Sequence, residues 1–444
     1  MSRSLGRIRR RELLQGAAGS AFAGVTILPS KKTLATRDQK LVYWHLPTFT
    51  PEADDAVQAQ FDEFRKMAGL KDHEAAFVPT PSAELMARLS AAIETGATPD
   101  LVRLHESEVQ LYRAQGHLID VTDAIQKLQG LRGGLFPSCL RPVAYEGRFW
   151  GIPFAIDPWP MHARLDVLEA HGLDYPRTWD AFVETCLKIQ KPPFYGFGMD
   201  LGLTRDATVN IMQVCCCFGG CTYDPAGNVA FDEAGNVKGF AFINEMYNER
   251  KIIPQGVVGN TDVAWNNRAY QSGQVAFINN QTSVYSYLST DDPDLMSKTG
   301  LFGVPAGPAG TFNQIQTWSL GLFKQSPYPE LARGLAEYFL DPDRYSQVIA
   351  ANHGRFVSVH RGLFDEPWWT ERPELAEFFD IASTGVSISH EAPPSAASDE
   401  LLASHVIPRA LQEVLVNGVD PAAAVASAHQ QIAAISERLA QQPG

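Results

Sequence analysis

The chain has 444 residues, 45% of them hydrophobic and 20% charged, with a formal net charge of −13. Such a length exceeds what one ordinary hydrophobic core organises, so two or more domains are expected, and the composition is that of a globular protein. The acidic balance excludes nucleic acid as a partner, because a phosphate backbone calls for a surface rich in Lys and Arg.

A basic leader comes first. Arg9-Arg10-Arg11-Glu12-Leu13-Leu14 precedes an apolar run of small residues from Gly16 to Leu28, and Thr33-Leu34-Ala35 offers a small-x-small cleavage site. The pattern is that of a signal peptide, with an apolar run too short to span a bilayer. The pair Arg10-Arg11 followed by x-Leu-Leu resembles a twin-arginine export signal, departing from it at Arg9, where Ser or Thr is usual. Residues 1–35 are therefore expected to be removed on export to the periplasm. They hold seven basic residues and one acid, so the mature chain has 30 basic and 49 acidic residues. No other apolar run reaches membrane-spanning length. The six cysteines, at 139, 186, 215, 216, 217 and 221, include a run of three in an apolar helical segment, which reads as small buried hydrophobes rather than disulfides. No CxxC pair or His cluster points to a metal, and no cofactor is expected.

In chain order, Lys40–His45 reads as a buried strand, and Pro51 opens a helix that turns Val57, Phe61 and Phe64 inward. A weaker strand follows near Glu74–Val78, then a helix from Ser82 ending at Gly96. Pro99–Leu104 is a third strand, with a polar tip at His105-Glu106-Ser107 and another helix behind it. This β-α-β-α-β-α succession predicts an open, doubly wound α/β sheet. A hairpin ending at Gly147 leads into a strand from Phe149 to Ile156. After Asp157-Pro158-Trp159-Pro160 a helical turn is expected up to Gly172, and Thr178 caps a further helix with a buried stripe from Trp179 to Ile189. A chain crossing of that kind, between two α/β halves, is where such proteins place ligands. Beyond it come strands at Pro193–Met199, Gln274–Ile278 and Gln316–Phe323, with helices at Thr208–Phe218, Asn236–Arg250, Pro329–Leu340 and Asp420–Leu439.

Several blocks in this order resemble the periplasmic solute-binding proteins of carbohydrate ABC transporters, the group that includes maltose-binding proteins. They are LVYWH, TGATPDLV, YEGRFWGIPFAID with LDVLEAHGLDYPRTWDAF, FGGCTYDPAGNVAFD, YQSGQVAFINN, FGVPAGPAG, QTWSLGLFKQSPYPELARGLAEYFLDPD and HGRFVSVH, spanning about residues 38–435. The resemblance implies a two-lobed periplasmic-binding-protein fold of type II with three interdomain crossings. Lobe one is expected at 38–154 plus 305–341 and lobe two at 158–300 plus 344–435, with crossings near 155–157, 300–305 and 341–343. It also implies a monomer that captures a small sugar, sugar alcohol or short oligosaccharide without altering it and delivers it to membrane permease subunits.

A sugar presents hydroxyls at its rim and C–H faces above and below, so its site calls for carboxylates, amides and Arg in the plane and flat rings against the faces. Candidates at strand ends are Trp44 and His45, His105 and Glu106, Asp157 and Trp159, Trp265 and Asn266, Asn280 and Gln281, Gln316 and Trp318, and Arg355. Each has a competing structural role: Trp44 as strand core, Trp159 as packing for the Pro kink, Asp157 as a turn cap, His45 and His105 as loop residues. Gln281-Thr282-Ser283 and Met161-His162-Ala163-Arg164 depart from the better-known oligosaccharide binders, which points toward a small solute. The rival functions are an exported carbohydrate-active or redox enzyme and a binder of a non-sugar solute. Gly196-Phe197-Gly198 followed by Gly202 superficially suggests a dinucleotide turn, but the spacing is not GxGxxG.

Overall fold

The computed structural model describes residues 40–440 apart from 49, 263, 391, 393, 394 and 396; the signal-peptide reading at 1–35 lies outside the described residues. The strands are β1 (Leu41–His45), β2 (Ala75–Pro79), β3 (Leu101–His105), β4 (Ala144–Tyr145), β5 (Arg148–Phe149) and β6 (Ile152–Pro158). They continue with β7 (Met161–Arg164), β8 (Tyr195–Phe197), β9 (Val275–Asn279), β10 (Thr299–Phe302) and β11 (Ile315–Leu322). Two sheets carry the fold: one in the order β2-β1-β3-β11-β6 and one in the order β10-β7-β9-β8, while β4 and β5 form a hairpin.

In the first sheet β1, β2 and β3 run parallel, joined by helices as the sequence pattern requires, and β11 lies antiparallel to both β3 and β6. Pro at the first position starts the helix Pro51–Met67, and Gly96, at φ 69, ends the helix Ser82–Thr95 in the left-handed conformation. Strand β6 is buried along its whole length, because it carries helices or loops on both faces. Beyond it, the segment expected to be helical after Pro160 begins instead as β7, paired antiparallel with β9 and β10. Prolines 158 and 160 hold the chain extended, and Met161 and Ala163 alternate into the core as strand residues do. Thr178 caps the helix Trp179–Ile189 as expected, its hydroxyl accepting from Ala181 N–H at 3.3 Å.

Each large sheet has its own hydrophobic core. The first gathers residues from Leu41 to Ile156 and from Ile315 to Ala382, together with Tyr285 and Leu301. The second gathers residues between Trp159 and Val304 and between Ile388 and Ile432. A small third cluster of Ala269, Tyr270, Val275, Ile278, Val284, Leu288 and Leu295 packs against β9. Several segments pack on a different core from the lobe expected to hold them. Tyr345, Val348, Ile349, Phe356, Val357, Trp369 and Phe378 pack in the first core rather than the second. Conversely Val304 and Phe312 pack on the second. The segments that pass between these packing groups are 157–160, 313–315 and 383–387. They form one hydrogen-bonded band: Trp159 N–H donates to Gln314 O at 3.0 Å, Ile315 N–H to Val386 O at 2.9 Å, and Val386 N–H to Asn313 O at 3.0 Å. Cys139, Cys186, Cys215, Cys216 and Cys217 are buried free thiols. Among the described residues no helix is long and apolar enough to cross a membrane.

The Gly-rich segment at β8 has a packing role. A Cβ on Gly196 would lie 2.4 Å from Cys186 Cβ, and one on Gly198 would lie 2.9 Å from Ile278 Cγ2. The glycines let β8 sit against its helix and β9, which explains their spacing without a nucleotide.

Candidate functional site

Between the two cores, beside the band of crossings, lies a cleft of about 440 Å³. The first core supplies Leu46, Pro47, Pro81, Ser82, Met86, His105, Glu108, Gln316, Trp318 and Arg355 to its lining. The second supplies Arg205, Asp206, Val209, Gln281 and Leu402, and Trp159 projects from the first crossing.

The local folding of each wall follows from its residues. Strands β3 and β11 run antiparallel with Trp318 opposite His105, so the two rings lie side by side, their centroids 3.7 Å apart. Behind Trp318 sits the buried Arg103, its guanidinium 4.6 Å from the indole centroid. Arg355 reaches the same floor because Ile156 and Val357 bond to each other backbone to backbone along the edge of β6. The turn before Arg355 uses left-handed residues, His353 at φ 52 and Gly354 at φ 80. A Cβ at Gly354 would also stand 2.9 Å from the Tyr285 ring, so this position requires glycine. On the far wall, Thr204 accepts from Ala207 N–H at 2.9 Å and starts the helix Arg205–Cys217, which puts Arg205, Asp206 and Val209 at the cleft.

Asp157 organises this floor without lining it. Fully buried, it pairs with Arg355 Nη1 at 2.6 Å, accepts from Trp318 Nε1 at 3.4 Å and meets the Thr282 hydroxyl at 3.5 Å. Thr282 also donates to Arg355 O, so a residue of the second half touches the pair that holds the floor of the first. Across the cleft, Gln281 Nε2 donates to Gln316 Oε1 at 3.2 Å. Trp159 Nε1 and Arg355 Nε have no hydrogen-bond partner among the described residues.

Six of the sequence candidates therefore meet at the cleft: His105, Trp159, Gln281, Gln316, Trp318 and Arg355. The other seven stand outside its lining, each for a physical reason. His45 is buried between Tyr43 Oη at 3.0 Å and Asp54 Oδ1 at 2.9 Å, pinning the helix Pro51–Met67 to β1, and burial holds its pKa below the usual value. Trp44 points to the other face of β1, where the Arg88 guanidinium lies 4.9 Å from its ring. Glu106 accepts from Thr317 N–H at 2.9 Å at the seam of β3 and β11, and burial pushes its pKa up to about 7. Asp157 is spent on Arg355, as described. Trp265 lies behind the wall, donating from Nε1 to Asp200 Oδ1 at 3.3 Å. Asn266 and Asn280 belong to an amide cluster in which Asn280 Nδ2 donates to Asn266 Oδ1 at 2.9 Å and to Asn267 Oδ1 at 2.6 Å.

Sequence reasoning missed Arg205, Asp206, Glu108 and the apolar rim of Leu46, Pro47, Met86 and Leu402. The capping signal Thr204-x-x-Ala207 before an apolar run was available for the first two, since it marks a helix start and so a loop end at the sheet edge. Nothing in the sequence marks Leu402, which arrives from the last hundred residues.

The comparisons with known proteins agree with this architecture. Residues 59–377 match the family described as bacterial extracellular solute-binding protein. A probable ABC transporter-binding protein of Deinococcus radiodurans is 24% identical over 234 residues, 50% of this chain and 54% of that protein. The chain thus spans about half the length of that curated relative. Maltose-bound MalE3 of Thermotoga maritima superposes with a TM-score of 0.73 at 23% identity, over 89% of this chain and 99% of that one. A solute-binding protein of Thermotoga lettingae, bound to α-D-tagatose, gives a TM-score of 0.74 at 20% identity, over 89% and 99%. At such identities the superpositions speak for the two-lobed α/β fold. The family match covers well over half of the sequence, and the chain belongs to the bacterial extracellular solute-binding proteins.

Proposed function

We propose that this protein is the substrate-binding component of an ABC importer, exported to the periplasm by the twin-arginine route, where as a monomer it captures a small sugar, sugar alcohol or short oligosaccharide for the permease. The observation that carries the reading is the cleft itself, into which both cores send groups suited to a polyhydroxy molecule. The indoles of Trp159 and Trp318 line it as aromatic surface for C–H groups, and Gln281, Gln316, Arg355 and Asp206 add donors and acceptors. The unpartnered Nε groups of Trp159 and Arg355 are donors that hydroxyl oxygens would satisfy. A volume of about 440 Å³ lies in the lower part of the ~300–1,000 Å³ range of small-molecule sites, in keeping with a short solute.

Capture works by closure. A solute held by both walls contributes to the free energy of the closed arrangement only, and the band of crossings is where the halves would rotate. The permease reads that closed shape. No bond is made or broken: Glu106 and Asp157 are engaged by Thr317 N–H and Arg355 rather than directed into the cleft.

Thermal unfolding with maltose, laminaribiose, tagatose and ribitol tests the proposal. A ligand at a hundredfold excess over Kd stabilises the folded form by about 2.7 kcal/mol, and at least one of the four is expected to raise the midpoint accordingly. Trp318→Ala should abolish that rise. Absence of any shift, or hydrolysis of nitrophenyl glycosides that disappears in Asp157→Asn, would overturn it.

A further inference from the structure

The cleft contains one carboxylate that stands apart from the rest. Glu108 accepts from His105 N–H at 2.8 Å, and Asp157 is paired with Arg355. Asp206 lines the cleft half-buried and makes no hydrogen bond or ion pair among the described residues. It stands on the second wall, in the first turn of the helix Arg205–Cys217, across from Trp318, Gln316 and Arg355 of the first.

Building on the sugar-binding reading above, we propose that Asp206 is the principal hydrogen-bond acceptor for solute hydroxyls on the second wall, and that its ionised form is the capturing form, so that solute is held more weakly on acidification. A carboxylate accepts from two hydroxyls at once, and such charge-assisted bonds are roughly twice as strong as neutral ones. The opposite wall supplies Arg355 as a donor, and the indole N–H of Trp159 enters from the first crossing, so an acceptor on the second wall adds to the complement a polyol needs from both sides.

The surroundings of Asp206 make its charge state responsive near neutrality. Burial acts first, and the carboxylates of Asp200 and Asp157 add to it; Arg205 opposes them, and the balance pushes the Asp206 pKa up to about 7. Asp200 is fixed by Thr204, Gly202 N–H and Trp265 Nε1, and Arg355 faces the carboxylate from the first wall. From the C-terminal segment, His405 lies near both Arg205 and Arg409, and burial keeps its pKa below the usual value. Position in the first helical turn favours the anion, so closing a hydroxyl pair over Asp206 drives its proton off rather than on.

Titration calorimetry at pH 6, 7 and 8 tests this, using whichever of maltose, laminaribiose, tagatose and ribitol stabilises the protein most. The expected result is affinity about tenfold lower at pH 6 than at pH 8, as a single group titrating near 7 requires, with proton release on binding at pH 7. Asp206→Asn, checked for an unchanged unfolding midpoint, should bind more weakly at pH 8 and lose the pH dependence. Glu106→Gln should keep the slope, separating Asp206 from the other carboxyl that titrates near neutrality. A wild-type affinity independent of pH, or a slope that survives in Asp206→Asn, would overturn the assignment of Asp206 while leaving the sugar-binding reading intact. Failure of all four solutes to bind would instead remove the sugar-binding reading, and this inference with it.

Discussion

Asp157 shows how a residue can matter to a site without touching its occupant. Its carboxylate, wholly excluded from water, holds Arg355 and Trp318 in place. Removing one member of a buried ion pair leaves the other charge uncompensated, so Arg355→Ala should destabilise the fold by about 3–5 kcal/mol in urea titrations. Asp157→Asn combined with Arg355→Gln should recover a good part of that loss; a double variant as unstable as the single one would show that the pair is not the source. A second buried group, His162 on β7, answers to pH. Burial pushes its pKa down to about 3, so the native state binds fewer protons than the unfolded chain, whose histidines titrate near ~6.5. Stability from this residue is therefore complete above ~6.5 and falls by up to about 1.4 kcal/mol for each pH unit below it. His162→Leu should gain on the wild type by that slope between pH 6 and 4, and show no such trend above pH 7. Groups common to both proteins, Glu106 and Asp206 included, cancel in that difference.

At the scale of elements, the strands and helices of the first half were legible because Pro, Gly and Thr punctuate them: Pro51 and Thr178 at helix starts, Gly96 at a helix end. The end of β6 was legible too, from the Pro-rich kink after Asp157. What misled was the run after Pro160, where four residues carry too little periodicity to separate a helical turn from β7. Strand-end position also overcounted the site, since it does not tell which way a side chain turns: Trp44 near the end of β1 faces a helix, while Trp318, in the middle of β11, lines the cleft. Close approach of elements yields a further expectation. Gly196→Ala would force β8 away from the helix Trp179–Ile189, because the added carbon meets Cys186 at 2.4 Å, and a loss of about 1–3 kcal/mol is expected from the thermal midpoint. An unchanged midpoint would mean that β8 has slack which the packing does not display.

For the whole molecule, the order of the sequence blocks carried the two-lobed fold, but which core each segment packs on depended on contacts that no local pattern encodes. Residues 345–382 return to the first core through Tyr345, Phe356, Trp369 and Phe378, and the chain crosses for the last time only after Ala382. Pairings such as Asp157 with Arg355, 198 residues apart in sequence, are invisible until the fold brings them together. The central claim is that a single solute is gripped by both halves at once, and hydrogen–deuterium exchange with and without a binding sugar measures this directly. Slowed exchange is predicted together at Thr317–Trp318 and Arg355 on one wall and at Ala207–Val209 and Gln281 on the other. Protection confined to one half, or placed away from these residues while the sugar is bound, would contradict the account.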